Sequence, residues 1–385
     1  MENNPAKLWT TRFLVLIMIN LLIQTINNMT NTTMAKYVAY IGGNNILGGF
    51  AITAFTIAAL LTRPFAGGFS DKRGKKGVLI IGTVTVLAAC LFYNFSHAIY
   101  VLILVRFIHG AGFSGNTTAT GAIAPDIIPP SKLSEGIGYY GISSTFSSAV
   151  GPMLALFLID GFGYPAMFAC LAVLALLALI CSLSLKLPPP SVKEPSNFFV
   201  ENKLIACAAV IILVALSTSS VLSFLSMHAG ARGIQNPGVF FSVTAVFSLV
   251  VRFFSGRIAD RKGISYVIIP SMIILICALL LISRAASMPI FLLAAVFYGI
   301  SNGTVGPSLN AIMIKLSSPD KRGAASAVYW ASMDIGIGTG AIVWGTVAEK
   351  IGFGIIYLLA AFCVMAAIAA YLTVLSKQMK AYGVN

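Results

Sequence analysis

Two ionisable side chains lie deep inside apolar stretches of this sequence: Arg106 in IYVLILVRFIHGAGF and Asp334 in VYWASMDIGIGTGAIVW. At mid-helix in lipid such a charge costs about 2.5–3.5 kcal/mol on insertion scales, so each is expected to be kept for use or for pairing. Trp330 stands one helical turn before Asp334 and Gly338 one turn after it. An aromatic face beside a carboxylate suits an organic cation, and the same carboxylate can take a proton once the cation leaves. The chemistry on offer is competition between proton and cation for one group; the alternative is a satisfied pair. Arg106 has its own structural alternative, bonding to backbone carbonyls. His109, one turn on, can relay a proton or simply pack. Asn20, Gln24, Asn27 and Asn31 recur at helical spacing and share a face. With Tyr298, Asn302 and Trp330 they are expected to line a cavity.

The elements that must position these residues follow from composition. Apolar residues make up 58% of the 385-residue chain and charged ones only 9%, where a soluble domain carries roughly a quarter. Runs of about 20 apolar residues recur throughout, each long enough to cross a hydrocarbon layer of roughly 30 Å. They fall near 13–34, 46–66, 78–95, 98–121, 135–160, 164–186, 203–229, 238–256, 265–283, 288–315, 323–348 and 352–376. Unpaired backbone groups are not tolerated in lipid and no barrel-like alternation is present, so the expectation is an all-α integral membrane protein with twelve transmembrane helices. The first run is too long and too rich in Asn for a cleaved signal.

The net charge of +14 follows topology rather than a nucleic-acid surface. With the N-terminus in the cytoplasm, only Lys36, Arg232, Arg284 and Lys350 fall on the opposite side. That asymmetry orients the chain with both termini cytoplasmic, and makes anionic lipid headgroups the partner of the basic loops. The six cysteines lie in apolar spans without metal-type spacing, so neither disulfides nor a metal site is expected. GFSDKRGKKG does not meet the spacing of a phosphate-binding loop. No cofactor and no catalytic cluster is expected, and the chain is read as no enzyme.

The segment from Arg63 to Gly74 returns later in the chain. Arg63, Gly67, Asp71 and Gly74 spell RxxxGxxxDxxG, and Arg252, Gly256, Asp260 and Gly263 spell it again, each 189 residues on. A duplication of this kind predicts two pseudo-symmetric six-helix bundles, residues 1–186 and 203–385, joined by a Pro-containing cytoplasmic linker at 187–202. In the first copy, Asp71 is the lone acid among Arg63, Lys72, Arg73, Lys75 and Lys76, and Gly67 and Gly74 permit a tight turn.

These residues resemble the major facilitator superfamily, and within it the twelve-span drug/proton antiporter branch. The loop signature GxLaDrxGrkxxl is met by Gly67, Asp71, Lys72, Gly74, Lys75, Lys76 and Leu79, with Phe69 for Leu. The span 4 signature is met by Leu102, Arg106, Gly110 and Gly112, with His109 where Gln is usual. The span 5 antiporter signature is met by Gly138, Gly151 and Pro152, with Ser147 and Ala155 as small substitutes and Leu156 departing. The resemblance implies the major facilitator fold, with two bundles rocking around a central pocket. It implies that Asp71 latches the cytoplasmic side against the start of the helix after Arg322, aided by Arg63, Lys72 and Arg73, with Arg252 and Asp260 as a weaker counterpart. It associates Arg106 with proton coupling, and Gly138, Gly151 and Pro152 with a helix seam. The expected function is proton-coupled export of a small amphipathic or cationic compound across the plasma or inner membrane, by a chain sufficient as a monomer. Uptake of a small metabolite is the alternative, and a non-transporting sensor the remote one.

Overall fold

The computed structural model describes residues 8–129, 132–187, 201–318 and 322–382; within these, the side chains at 68, 70–73, 133–134, 260 and 322–324 are outside the description. Every regular element among the described residues is helical. The long helices are α1 (Thr11–Tyr40), α2 (Asn45–Arg73), α3 (Lys75–Tyr93), α4 (Ile99–Ile127), α5 (Leu133–Ser184), α6 (Ile205–Ala231), α7 (Gly238–Lys262), α8 (Ser265–Arg284), α9 (Met288–Leu316), α10 (Arg322–Lys350) and α11 (Phe353–Ala370), followed by the short α12 (Ser376–Ala381). Expected spans 5 and 6 form the single run α5, which breaks at Gly163 with φ 81° and ψ 177°. That backbone region is essentially open to glycine alone, so α5 carries two spans. Ten of the helices are long and apolar enough to cross a membrane. α10 falls short in apolarity, because small and polar residues and Asp334 dilute it, yet its 29 residues reach roughly 43 Å at the α-helical rise.

The repeated signature folds the same way twice. Gly74 ends α2 with φ 91° and ψ 142°, and Gly263 ends α7 with φ 98° and ψ 152°. A side chain at either position would be strained, which is why both copies carry glycine there. Gly67 lies inside α2, so the turn is made at Gly74 alone.

Contacts divide the chain into two units, Met1–Thr30 with Ile57–Pro195, and Asn31–Thr56 with Ser196–Asn385. α1 thus changes unit after Thr30 and α2 after Thr56.

Small residues hold each unit together, as expected where lipid removes the hydrophobic drive between helices. In the first unit a Cβ added at Gly82 would stand 2.6 Å from Asn116 N and 2.9 Å from Gly112 O, so α3 and α4 touch backbone to backbone. Asn116 Nδ2 donates to Thr83 Oγ1 (2.8 Å), which lies 3.3 Å from Ser182 Oγ on α5. Gly82→Val is therefore expected to cost about 1–3 kcal/mol by overpacking. Thermal unfolding of the purified protein checks this: an unchanged midpoint would contradict the close approach. In the second unit α9 meets α7 in the same manner, with Cβ positions at Gly299 and Gly303 each falling 2.5 Å from the carbonyl oxygens of Thr244 and Ser248.

Candidate functional site

The glycine-rich middle of α10 has two working faces. Gly336 and Gly340 press on α6, where added Cβ atoms would meet Ile212 O at 2.5 Å and Leu216 O at 2.9 Å. Trp344 Nε1 donates to Leu216 O (2.7 Å) and Ser219 Oγ to Ile337 O (3.0 Å), fixing that contact. On the other face Gly338, Ala341 and Gly345 meet the first part of α2. A Cβ at Gly338 would stand 2.9 Å from Thr56 Cγ2, one at Gly345 2.5 Å from Asn45 O, and one at Gly49 would overlap Ala341 O. Thr53 Oγ1 donates to Gly338 O (2.7 Å). At the end of the stripe, Glu349 Oε2 accepts from both Asn45 N (2.9 Å) and Asn45 Nδ2 (2.8 Å). A carboxylate there satisfies a free amide at the start of α2 and complements its dipole. The result is a side-chain-poor seam three turns long between α2 and α10, latched at one end.

Asp334 belongs to this second face. Residues 334, 338, 341 and 345 follow the three-four spacing of one helical stripe. The carboxylate thus stands one turn, roughly 6 Å, along α10 from the contact between Thr56 and Gly338. Asp334 is half-buried and Trp330, one turn further on, is 44% exposed with its indole edge-on to Tyr329 at 5.3 Å. The structure therefore brings Asp334 and Trp330 to one stripe and places a closed contact immediately beside them.

Arg106 and His109 are assembled elsewhere, in the first unit, and both are fully buried. Tyr93, the last residue of α3, organises them: its hydroxyl lies 2.9 Å from His109 Nδ1 and also hydrogen-bonds Arg106. Phe168 of α5 stacks on the Tyr93 ring at 5.3 Å and 15°. This is a sealed polar node among α3, α4 and α5. Tyr93 was missed in the sequence because an aromatic at the end of an apolar run carries no polar signature of its own.

The expected cavity residues divide between the units. Asn20 is anchored in the first, its Nδ2 donating to Ser143 Oγ (2.7 Å) and Ser144 Oγ (3.0 Å) of α5. Gln24 and Asn27 are half-buried, while Asn31 is buried in the second unit. Tyr298 is buried against Phe240 at 5.8 Å and Asn302 is exposed. Of the span 5 residues, Gly151 makes a close approach: its Cβ position is 2.9 Å from Asn28 Cβ and 3.1 Å from Thr25 O of α1. Ser147 Oγ extends the same seam by donating to Leu21 O (2.9 Å). Pro152 is buried beside it, whereas Gly138 is exposed and faces open space.

For the basic loop, the side chains of Asp71, Lys72, Arg73 and Asp260 lie outside the described residues. Arg63 and Arg252 are half-buried on α2 and α7. Lys75 pairs with Asp126 near the end of α4 and donates to Ala122 O (2.9 Å), and Lys76 donates to Leu183 O (3.1 Å). Asp126 is a second residue that sequence reasoning passed over; it follows Pro125 beyond the apolar run and reads as loop.

Comparison with known proteins gives a consistent result. The sequence profile of the Major Facilitator Superfamily matches residues 16–341 and again 207–382. The staphylopine export protein of Staphylococcus aureus is 22% identical over 376 residues, 92% of this chain and 93% of that protein. The multidrug resistance protein MdtG of Escherichia coli O81 is 23% identical over 388 residues, 94% of each. Among solved structures, a mutant form of the nucleoside transporter NupG superposes with a TM-score of 0.79 at 16% identity, over 94% of this chain and 100% of that one. With its membrane-length helices, its duplicated signature and a profile match across most of its length, this chain belongs to the major facilitator superfamily of transporters.

Proposed function

We propose that this transporter exports a small amphipathic or cationic compound in exchange for protons, with Asp334 as the group for which proton and substrate compete. One observation carries the reading: a half-buried carboxylate beside Trp330 stands one turn along α10 from a close α2–α10 contact. With the termini cytoplasmic, as the distribution of Lys and Arg favours, that seam lies on the outer side of the plasma or inner membrane. Asp334 is then reached from the cytoplasm while the seam is shut, and from outside once it parts. Substrate binding at the carboxylate displaces the proton, the seam opens, and a proton from outside displaces the substrate in turn. Arg106 and His109, held by Tyr93, form a second proton-handling node. The fused halves suffice as a monomer among membrane lipids. The names of two relatives, a staphylopine exporter and a multidrug resistance protein, support the outward direction.

Uptake of a small metabolite is the second reading, favoured by the likeness in fold to a nucleoside transporter. Accumulation of a cationic fluorescent dye in cells with and without the protein separates the two. Export predicts less dye while the proton gradient stands and equal dye after an uncoupler collapses it. No difference for any of a panel of such dyes would overturn the export reading.

A further inference from the structure

The node of Arg106, Tyr93 and His109 has a direction that its donors and acceptors set. A guanidinium carries donors only, so in the hydrogen bond between them Arg106 donates and the Tyr93 oxygen accepts. The hydroxyl keeps one proton to give, and His109 Nδ1 lies 2.9 Å from it. A ring nitrogen that accepts a hydrogen bond is the bare one, which places the imidazole proton on Nε2. The reverse order, Nδ1–H donating to Tyr93, would aim two donors at one oxygen and leave the hydroxyl proton without an acceptor. Packing holds the three groups in place. All three are fully buried, and the backbone contact of α3 with α4 at Gly82 and Gly112 fixes the spacing of the helices that carry them. The Tyr93 ring stacks on Phe168 at 5.3 Å and 15°, and meets the imidazole edge-on at 5.9 Å and 75°. Tyr164 of α5 leans on Phe168 in turn at 6.3 Å. Cys90, one turn before Tyr93 on α3, is the other ionisable group beside the hydroxyl.

With Nε2 already carrying a proton, a second one enters this imidazole only at Nδ1. Entry there requires Tyr93 to turn its hydroxyl away from the ring, and a buried hydroxyl left without an acceptor is costly. We propose that Tyr93 is the positioning residue of this node and its lock: it holds His109 as the Nε2–H tautomer and keeps Nδ1 closed to protons until the hydroxyl turns. Arg106 keeps the lock aimed by donating to the same oxygen. The inference rests on the reading of Arg106 and His109 as a proton-handling node and adds to it the group that regulates it. Tyr93→Phe isolates the effect, because the ring and its stacking on Phe168 stay and only the hydroxyl leaves.

The test is nitrogen NMR of the purified full-length protein in micelles, with ¹⁵N in its three histidines and the His109 signals assigned by their loss in His109→Gln. Couplings to the ring protons tell Nδ1 from Nε2. The parent protein should show one neutral form of His109, with Nδ1 bare and Nε2 protonated. Tyr93→Phe should move the tautomer ratio about two- to tenfold towards Nδ1–H, the effect of one lost hydrogen bond. His228, whose Nε2 lies 2.9 Å from Ile282 O in the other unit, should keep its signals and so report that the variant is folded. A proton on Nδ1 in the parent, or a ratio that Tyr93→Phe leaves unchanged, would overturn the positioning role; the parent spectrum decides even where the variant does not fold. Gradient-driven dye export by the same proteins in vesicles tests the lock. Export by Tyr93→Phe should fall at least threefold at the pH optimum of the parent and show a displaced pH profile. A parental profile in Tyr93→Phe beside an impaired His109→Gln would overturn the lock. Parental export by His109→Gln would instead remove the node from the proton cycle, a failure of the underlying reading that the tautomer spectrum tells apart from a failure of Tyr93.

Discussion

Asp334→Asn is expected to abolish gradient-driven transport while leaving the fold intact. The amide keeps the size and the polarity of the carboxylate on its α10 stripe but neither takes up a proton nor neutralises a cation. A charge-assisted bond contributes about 1.5–3 kcal/mol, so cation binding should weaken by about ten- to a hundredfold. The pH dependence of that binding should vanish with it, because the competing proton has lost its group. Polarisation titrations of a cationic dye at several pH values, run beside thermal unfolding, check both parts. An Asn variant that still exports dye against a gradient, with the pH profile of the parent, would remove Asp334 from the mechanism and return it to a structural pair.

Gly49→Leu should act without touching the carboxylate. The Cβ position of Gly49 overlaps Ala341 O, so a larger side chain must drive the start of α2 away from α10. The Thr53–Gly338 bond and the Asn45–Glu349 latch stretch with it. Overpacking of this kind costs about 1–3 kcal/mol. Because the cost falls only on the closed arrangement, it shifts the closed-to-open balance by about 5–150-fold. The expected result is faster modification of a cysteine placed at Thr56 by a membrane-impermeant maleimide, in a background without the native cysteines. Gly121→Leu is the control, since a Cβ there meets nothing within 4 Å. Labelling that rises equally in both variants would show general loosening rather than an opened seam.

The spans and the duplication were legible in the sequence because lipid imposes them directly: length and apolarity are properties of a single segment. Asp334 and Arg106 stood out for the same reason, each being a charge where charge is costly. Gly74 and Gly263 were legible as a pair, since a positive φ admits little but glycine and the repeat states it twice. The α2–α10 seam was not legible. Gly49 and Gly345 are separated by nearly 300 positions, and a glycine that lets two backbones touch looks the same in a sequence as one that faces open space, as Gly138 does. Tyr93 was hidden by a different cause, because its role depends on a hydrogen bond to a residue on the next helix. The division of α1 and α2 between the two units was also invisible, since a straight helix gives no local sign of where its neighbours change.

In the proposed cycle one carboxylate, Asp334, exchanges a proton for a cation. Addition of tetraphenylphosphonium, a cation with no ionisable proton, to the purified protein in weakly buffered micelles measures that exchange directly through a pH indicator. Saturable proton release that disappears in Asp334→Asn is the predicted result. Cation binding without release, or release that survives the substitution, would rule out Asp334 as the group of exchange.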